Sequence, residues 1–145
     1  GVKEPFRVLH MTDTHLTYAD LRDGERKVQL AAKRARWFPY AEEMLQLASE
    51  VSKSENVPIL HTGDLIDFVS QANLERAAEF VSGHDFFMAA GNHEFSQYVG
   101  EAVEDAAYRN QSLDKIQAAF KNDIRFSCRE VNGVNLVAID NSYYL

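Results

Sequence analysis

Three short, largely apolar runs, residues 6–11, 57–61 and 86–90, each break off into a polar cluster, and long stretches of helical periodicity separate them. That alternation constrains the fold more than any other feature of the chain. Short apolar runs bounded by turn-forming residues read as strands. Within residues 23–53, Phe38, Ala41, Leu45, Ala48 and Val51 recur at three- and four-residue spacing, the face of a helix. Pro39 breaks this stretch into two helices and opens the second at its first turn. Residues 73–82 put Leu74, Ala77, Ala78 and Val81 on one side of a further helix, and residues 102–121 read as an interrupted helical region. Runs at 124–131 and 134–139 flank Asn132-Gly133, a strong hairpin signal. The order β-α-β-α-β-α plus a hairpin predicts an α/β fold: a mostly parallel sheet with right-handed crossovers, carrying an antiparallel pair at its edge.

Composition narrows the function. With 145 residues, 46% apolar and 26% charged, the chain suits one domain spanning 1–145 and is neither disordered nor fibrous. A net charge of −7 argues against general affinity for nucleic acid or an anionic membrane, and suits a site where a cation neutralises acidic groups. No apolar run approaches the ~18 residues that span a bilayer. No charged-then-apolar leader opens the chain, although a start at Gly1 left by processing would look the same, so the compartment stays open. The single cysteine, Cys128, excludes a disulfide scaffold and a cysteine-rich zinc site, and reads as a small buried strand residue.

The chemistry lies where the three strands end. The first runs into Thr12-Asp13-Thr14-His15, the second into Thr62-Gly63-Asp64-Leu65-Ile66-Asp67, the third into Gly91-Asn92-His93-Glu94. A parallel sheet lines up the C-terminal ends of its strands along one edge, where ligand sites form. Carboxylate, imidazole and amide groups are ligands for hard and borderline divalent metals. Alone, Asp13 would serve as a cap or turn residue; three such clusters on one edge point to a metal site. Gly63 and Gly91 let the chain turn sharply at the strand ends.

These motifs, Asp13-x-His15, Gly63-Asp64-x-x-Asp67 and Gly91-Asn92-His93-Glu94, resemble the first three motifs of the calcineurin-like metallophosphoesterases, over residues 6–141. The resemblance implies half of a four-layer αββα sandwich and a metal-dependent phosphoester hydrolase, phosphatase or phosphodiesterase, in which metal-activated hydroxide attacks phosphorus. It implies two divalent ions, manganese, iron, zinc or magnesium, and a phosphorylated substrate. Asp13 and His15 would bind the first ion, Asp64 would bridge both, and Asn92 would bind the second through its amide oxygen. His93 would stabilise or protonate the leaving-group oxygen. Asp67 and Glu94 would hold ligands or loop backbone in place. The family pattern goes on to a further histidine and a Gly-His-x-His motif, yet none of the five histidines here follows residue 93. The chain therefore reads as the N-terminal half of such a domain, inactive alone; the alternative is a non-catalytic metal- or phosphate-binding half-domain.

Other candidates have plainer readings. His10 and His61 are satisfied strand histidines, and His84 is a loop residue. The basic run Arg26, Lys27, Lys33, Arg34 and Arg36 reads as a solvated helix face, and Trp37, Phe38 and Tyr40 as core or staple packing. Ser96 and Ser142 lack a base partner. Finally, Val8, Ile59 and Phe86 alternate with Leu9, Leu60 and Phe87, so both strand faces are apolar. With helices on one face, the other calls for cover. The expectation is a homodimer, sheet face to sheet face about a two-fold axis; the competing arrangement folds the hairpin and residues 23–53 over it.

Overall fold

Strands β1 (Leu9–Met11), β2 (Ile59–His61) and β3 (Phe86–Met88) pair in that order as a parallel sheet, in a computed structural model that describes residues 4–100 and 105–142. The register sets Leu9 beside Ile59 beside Phe86, and Met11 beside His61 beside Met88. Helices α1 (Glu25–Arg34) and α2 (Ala41–Glu55) lie between β1 and β2, α3 (Gln71–Ser82) between β2 and β3, and α4 (Ala106–Phe120) after β3. The hairpin strands are β4 (Phe126–Val131) and β5 (Val134–Ile139). The predicted α/β order holds.

The strands are shorter than their apolar runs. Pairing of β1 begins where Leu9 N–H donates to Pro58 O, 2.9 Å, and Pro58 itself has no N–H to extend the ladder backwards. Met11, Ile59 and Met88 pack beneath Leu45 and Ala48 of α2, Leu74, Ala77 and Phe80 of α3, and Leu113, Ile116 and Phe120 of α4. Helix α2 ends as left-handed Asn56 closes it, φ 51°. Helix α3 starts two residues earlier than its apolar pattern, because Ser70 caps it by accepting from Asn73 N–H. Helix α4 is continuous over 106–120; the rest of the expected interrupted region, residues 102–104, lies outside the described residues.

Asn132 and Gly133 both take positive φ, 50° and 80°, the turn that matches strand twist. The hairpin forms its own two-stranded sheet rather than an edge of the first. Ala90 N–H donates to Ile124 O, and Arg129 pairs with Asp85, so β4 runs beside β3 in the opposite direction. Opposed pairs share a face, and Phe126 with Ile139 and Cys128 with Val137 make the outward one. Cys128 is thus exposed, not buried. Leu60 and Phe87 of the parallel sheet face Val137 and Ile139 across a shallow cleft. Among the described residues no helix is long and apolar enough to cross a membrane.

Candidate metal centre

The loops after β1 and β2 continue the parallel pairing past the strands. Asp13 N–H donates to Gly63 O, His15 N–H to Asp64 O and Leu16 N–H to Leu65 O, at 3.0, 2.9 and 2.9 Å. They do so only by bending: Asp13, His15 and Asp64 all have left-handed backbone, φ 54°, 53° and 58°. Such conformations cost non-glycine residues free energy and persist where surrounding structure enforces them. The loops after β2 and β3 also approach each other closely. A Cβ on Gly63 would stand 2.5 Å from Gly91 N, and one on Gly91 would stand 2.2 Å from Asp64 Oδ1. Both glycines are required by that approach.

Glu94 fastens this junction from within. Fully buried, its carboxylate accepts from the backbone N–H groups of Gly91, Asp64 and Leu65, at 2.7, 2.8 and 2.8 Å, and of Ile66 at 3.3 Å. Burial and the Asp64 charge push its pKa up to about 7, against the lowering effect of those donors.

Asp13, His15 and Asp64 converge. His15 Nε2 lies 3.7 Å from Asp13 Oδ1 and 3.8 Å from Asp64 Oδ2, too far for hydrogen bonds. It is about the separation of atoms each ~2.1 Å from one ion at a wide angle. The other nitrogen, Nδ1, is tied at 2.9 Å to Asp67 Oδ1, so the Nε2 lone pair faces the two carboxylates. Burial opposes charging of His15, but the Asp67 hydrogen bond and the charges of Asp64, Asp67 and Asp13 outweigh it and raise its pKa. Two carboxylates and a bare imidazole nitrogen, held in strained backbone, are a donor set that fits a divalent cation. Asp13 is exposed and Asp64 half-buried, so the cluster opens to solvent.

A second group of potential ligands, His15, Asp67 and His93, lies within 4.8 Å, but His15 Nδ1 and Asp67 Oδ1 already bond each other and His93 is held by other partners. His93 Nδ1–H donates to Asp67 O, 2.6 Å, and His93 N–H to Asp64 Oδ1, 3.0 Å. Arg34 donates to both Asp67 oxygens, from Nε at 2.6 Å and Nη2 at 2.7 Å. Burial works against ionisation of Asp67, yet Arg34 and His15 hold its pKa below the usual carboxylate value. Asn92 is exposed at the start of the 3-10 turn Asn92–Phe95, beside these groups.

Several residues sit otherwise than their sequence suggests. Arg34 leaves the solvated face to reach Asp67. Phe38 stacks on the His15 ring, centroids 4.1 Å apart and planes within 10°. Trp37 and Tyr40 are exposed, 71% and 65%, and belong to no core. A signal for Arg34 existed: Lys27, Ala31 and Arg34 recur at four- and three-residue spacing, one helix face, and Lys27 and Ala31 are buried.

The other histidines are satisfied. His61 Nδ1 accepts from Gly63 N–H at 3.2 Å, so Nε2–H donates to Thr14 Oγ1 at 2.9 Å. His10 Nε2 meets Thr62 Oγ1 at 3.0 Å, and His84 bonds Phe80 O and Ser49 Oγ.

A family model described as calcineurin-like phosphoesterase matches residues 6–145. Among curated proteins and among solved structures, none matches significantly.

Proposed function

Because the chain belongs to the calcineurin-like phosphoesterase family, we propose that its sheet edge is the first part of a two-ion centre for phosphoester hydrolysis. The observation that carries this reading is the convergence of Asp13, Asp64 and His15 Nε2 with no hydrogen bond between the imidazole nitrogen and either carboxylate. In it, Asp13 and His15 would hold one divalent cation, Asp64 would serve both, and the Asn92 amide oxygen would serve the second. Bound cations supply Lewis acidity toward the phosphoryl oxygens and acidify a water at neutral pH. Asp67 keeps the His15 proton on Nδ1, so that Nε2 remains a ligand atom. Glu94 holds the backbone of both carboxylate-bearing loops together. His93, anchored through Nδ1 to Asp67 O, would use its other nitrogen to give a proton to the leaving oxygen. A phosphorylated substrate of either ester class suits this arrangement.

The ligand count sets the expected activity. The first ion has three matched ligands and the second two, Asp64 counted in both, so the 145-residue chain is expected to be nearly inactive by itself. Calorimetric titration with Mn²⁺ tests the site: the wild-type chain binds, and His15→Ala and Asp64→Asn do not. Turnover of p-nitrophenyl phosphate stays well below ~1 per second; a rate at or above that shows that these ligands suffice for catalysis. His93→Ala lowers whatever turnover is measured by ~100-fold or more with metal binding retained, whereas loss of metal would make His93 a ligand. Failure of the wild-type chain to bind any divalent ion removes the proposal.

A further inference from the structure

Arg34 comes from the end of α1, outside all three motifs, and no part of the chemistry above uses it. We infer that Arg34 is a positioning residue for His15: its guanidinium fixes the Asp67 carboxylate, which in turn fixes the imidazole edge and tautomer that present Nε2 to the cation. The inference rests on the metal-site reading of His15 given above.

The geometry is a closed chain of short contacts. Nε and Nη2 of Arg34 donate to Oδ2 and Oδ1 of Asp67 at 2.6 and 2.7 Å. A planar fork holding both oxygens fixes the carboxylate plane, which a single-point cation cannot do. The same Oδ1 accepts from His15 Nδ1–H at 2.9 Å. Asp67 is fully buried and the Arg34 side chain is 18% exposed, so water competes little for either. Arg34 also acts on the opposite side of the ring's surroundings. Its guanidinium carbon lies 5.2 Å from the centre of the Phe38 ring, and Phe38 stacks on the His15 face. One arginine therefore braces the partner on the imidazole edge and the ring on its face.

A basic residue on a nominally solvated helix would be expected to help by charge alone. Here the fork matters. Lysine at position 34 keeps the charge but cannot hold both oxygens; the carboxylate can then rotate, and Oδ1 no longer meets His15 Nδ1 on one fixed line.

The test is Mn²⁺ affinity by calorimetry, with the His15 ring nitrogens followed by ¹⁵N NMR in the metal-free chain at alkaline pH, where the ring is neutral. Wild type shows His15 with its proton on Nδ1. Arg34→Ala loses metal affinity by 10- to 100-fold, the usual cost of removing a partner behind a ligand, and its His15 signals shift toward mixed tautomers. Arg34→Lys recovers less than half of that loss on a logarithmic scale. In an Asp67→Asn background, Arg34→Ala adds no further loss, because the two act in series. Lys33→Ala, a neighbouring charge change, leaves affinity within about two-fold, and thermal melts confirm that each variant is folded. Should Arg34→Ala fail to fold, Arg34→Lys and Arg34→Gln carry the same comparison. Full recovery by lysine, or an unchanged His15 tautomer in folded Arg34→Ala, overturns the inference. A wild-type chain that binds no metal while the tautomer still depends on Arg34 overturns the functional reading and leaves the positioning role standing.

Discussion

Two buried histidines, His15 in the loop after β1 and His61 at the end of β2, are separated by a single hydrogen-bonded residue, Thr14, yet titrate in opposite directions. His61 is fully buried and its pKa is pushed down to about 4, chiefly by burial. His15 is almost as buried, 6% exposed, but its pKa is raised. The difference is in partners. Around His61 stand Thr14, the Gly63 amide and the Phe86 ring; around His15 stand Asp13, Asp64 and Asp67. Burial alone yields a neutral structural histidine. Burial beside a cluster of carboxylates yields a place for a cation. Asp67 is excluded from that role because Arg34 already neutralises it.

The largest expected effect breaks the carboxylate side of the comparison. Gly91 has extended backbone, so alanine is acceptable conformationally, but its Cβ would stand 2.2 Å from Asp64 Oδ1 and 2.7 Å from Asp64 N. Gly91→Ala must push apart the two loops that Glu94 joins. Metal binding is expected to vanish, with ~4 kcal/mol or more of stability lost, the range reserved for steric failure and broken buried networks. Calorimetry and denaturant melts measure both; retained metal affinity would show that the close approach is not needed.

The His61 side makes a smaller, pH-dependent contribution. A histidine with native pKa near 4 and an unfolded value of ~6.5 binds its proton more readily in the unfolded chain between those limits. Stability from this group is therefore complete above pH 6.5, falls as pH drops, and levels off near pH 4. The total is about 3 kcal/mol. Urea melts from pH 7 to 4 should show this slope, and His61→Asn should flatten it. An unchanged slope in the variant would assign the acid sensitivity elsewhere.

Next in size is the link behind His15. Asp67→Asn keeps the shape but removes the charge, and its amide can no longer serve both His15 and Arg34 as an acceptor. Mn²⁺ affinity should fall 10- to 100-fold, or ~1.4–2.7 kcal/mol, while Asp64→Asn abolishes binding. Equal effects at positions 64 and 67 would erase the distinction between the two sides of the His15 ring.

Much of this was legible in residues because strand-helix alternation and strand-end motifs are local signals. The order of elements, the Asn132-Gly133 turn and the three clusters on one edge all follow from short-range pattern. Pairing length was not legible: residues 6–8 are as apolar as β1, but the partner strand begins after Pro58. Cys128 was misplaced because the hairpin alternates weakly, with Cys128 and Phe126 on the outward face opposite Val137 and Ile139. Arg34 and Phe38 were missed for a different reason. Their partners, Asp67 and His15, are far away in sequence, and a charge or ring in a polar-apolar stretch carries no mark of which distant group it will meet.

The smallest expected effect on stability tests the outward sheet face. Phe126, Val137 and Ile139 are 59%, 52% and 64% exposed, and Val137 and Ile139 border the cleft facing Leu60 and Phe87. The hairpin thus lies against this face, where Phe87 is buried and Leu60 partly so, while α2 packs on the opposite, core side. Exposed side chains contribute little to folding, so Ile139→Ser should change stability by less than ~0.5 kcal/mol. A cluster of exposed apolar side chains is nonetheless what soluble monomers avoid, and a two-fold pairing of the hairpin faces covers it in one step. Light scattering is therefore expected to show concentration-dependent dimers of the wild-type chain, and Val137→Asp with Ile139→Asp should be monomeric with an unchanged melting profile and unchanged Mn²⁺ affinity. A wild-type chain that stays monomeric across the concentration range and binds no hydrophobic dye would show that the hairpin already suffices as cover. Loss of metal affinity in the double variant would mean that the outward face and the His15 edge are coupled rather than separate regions of the fold.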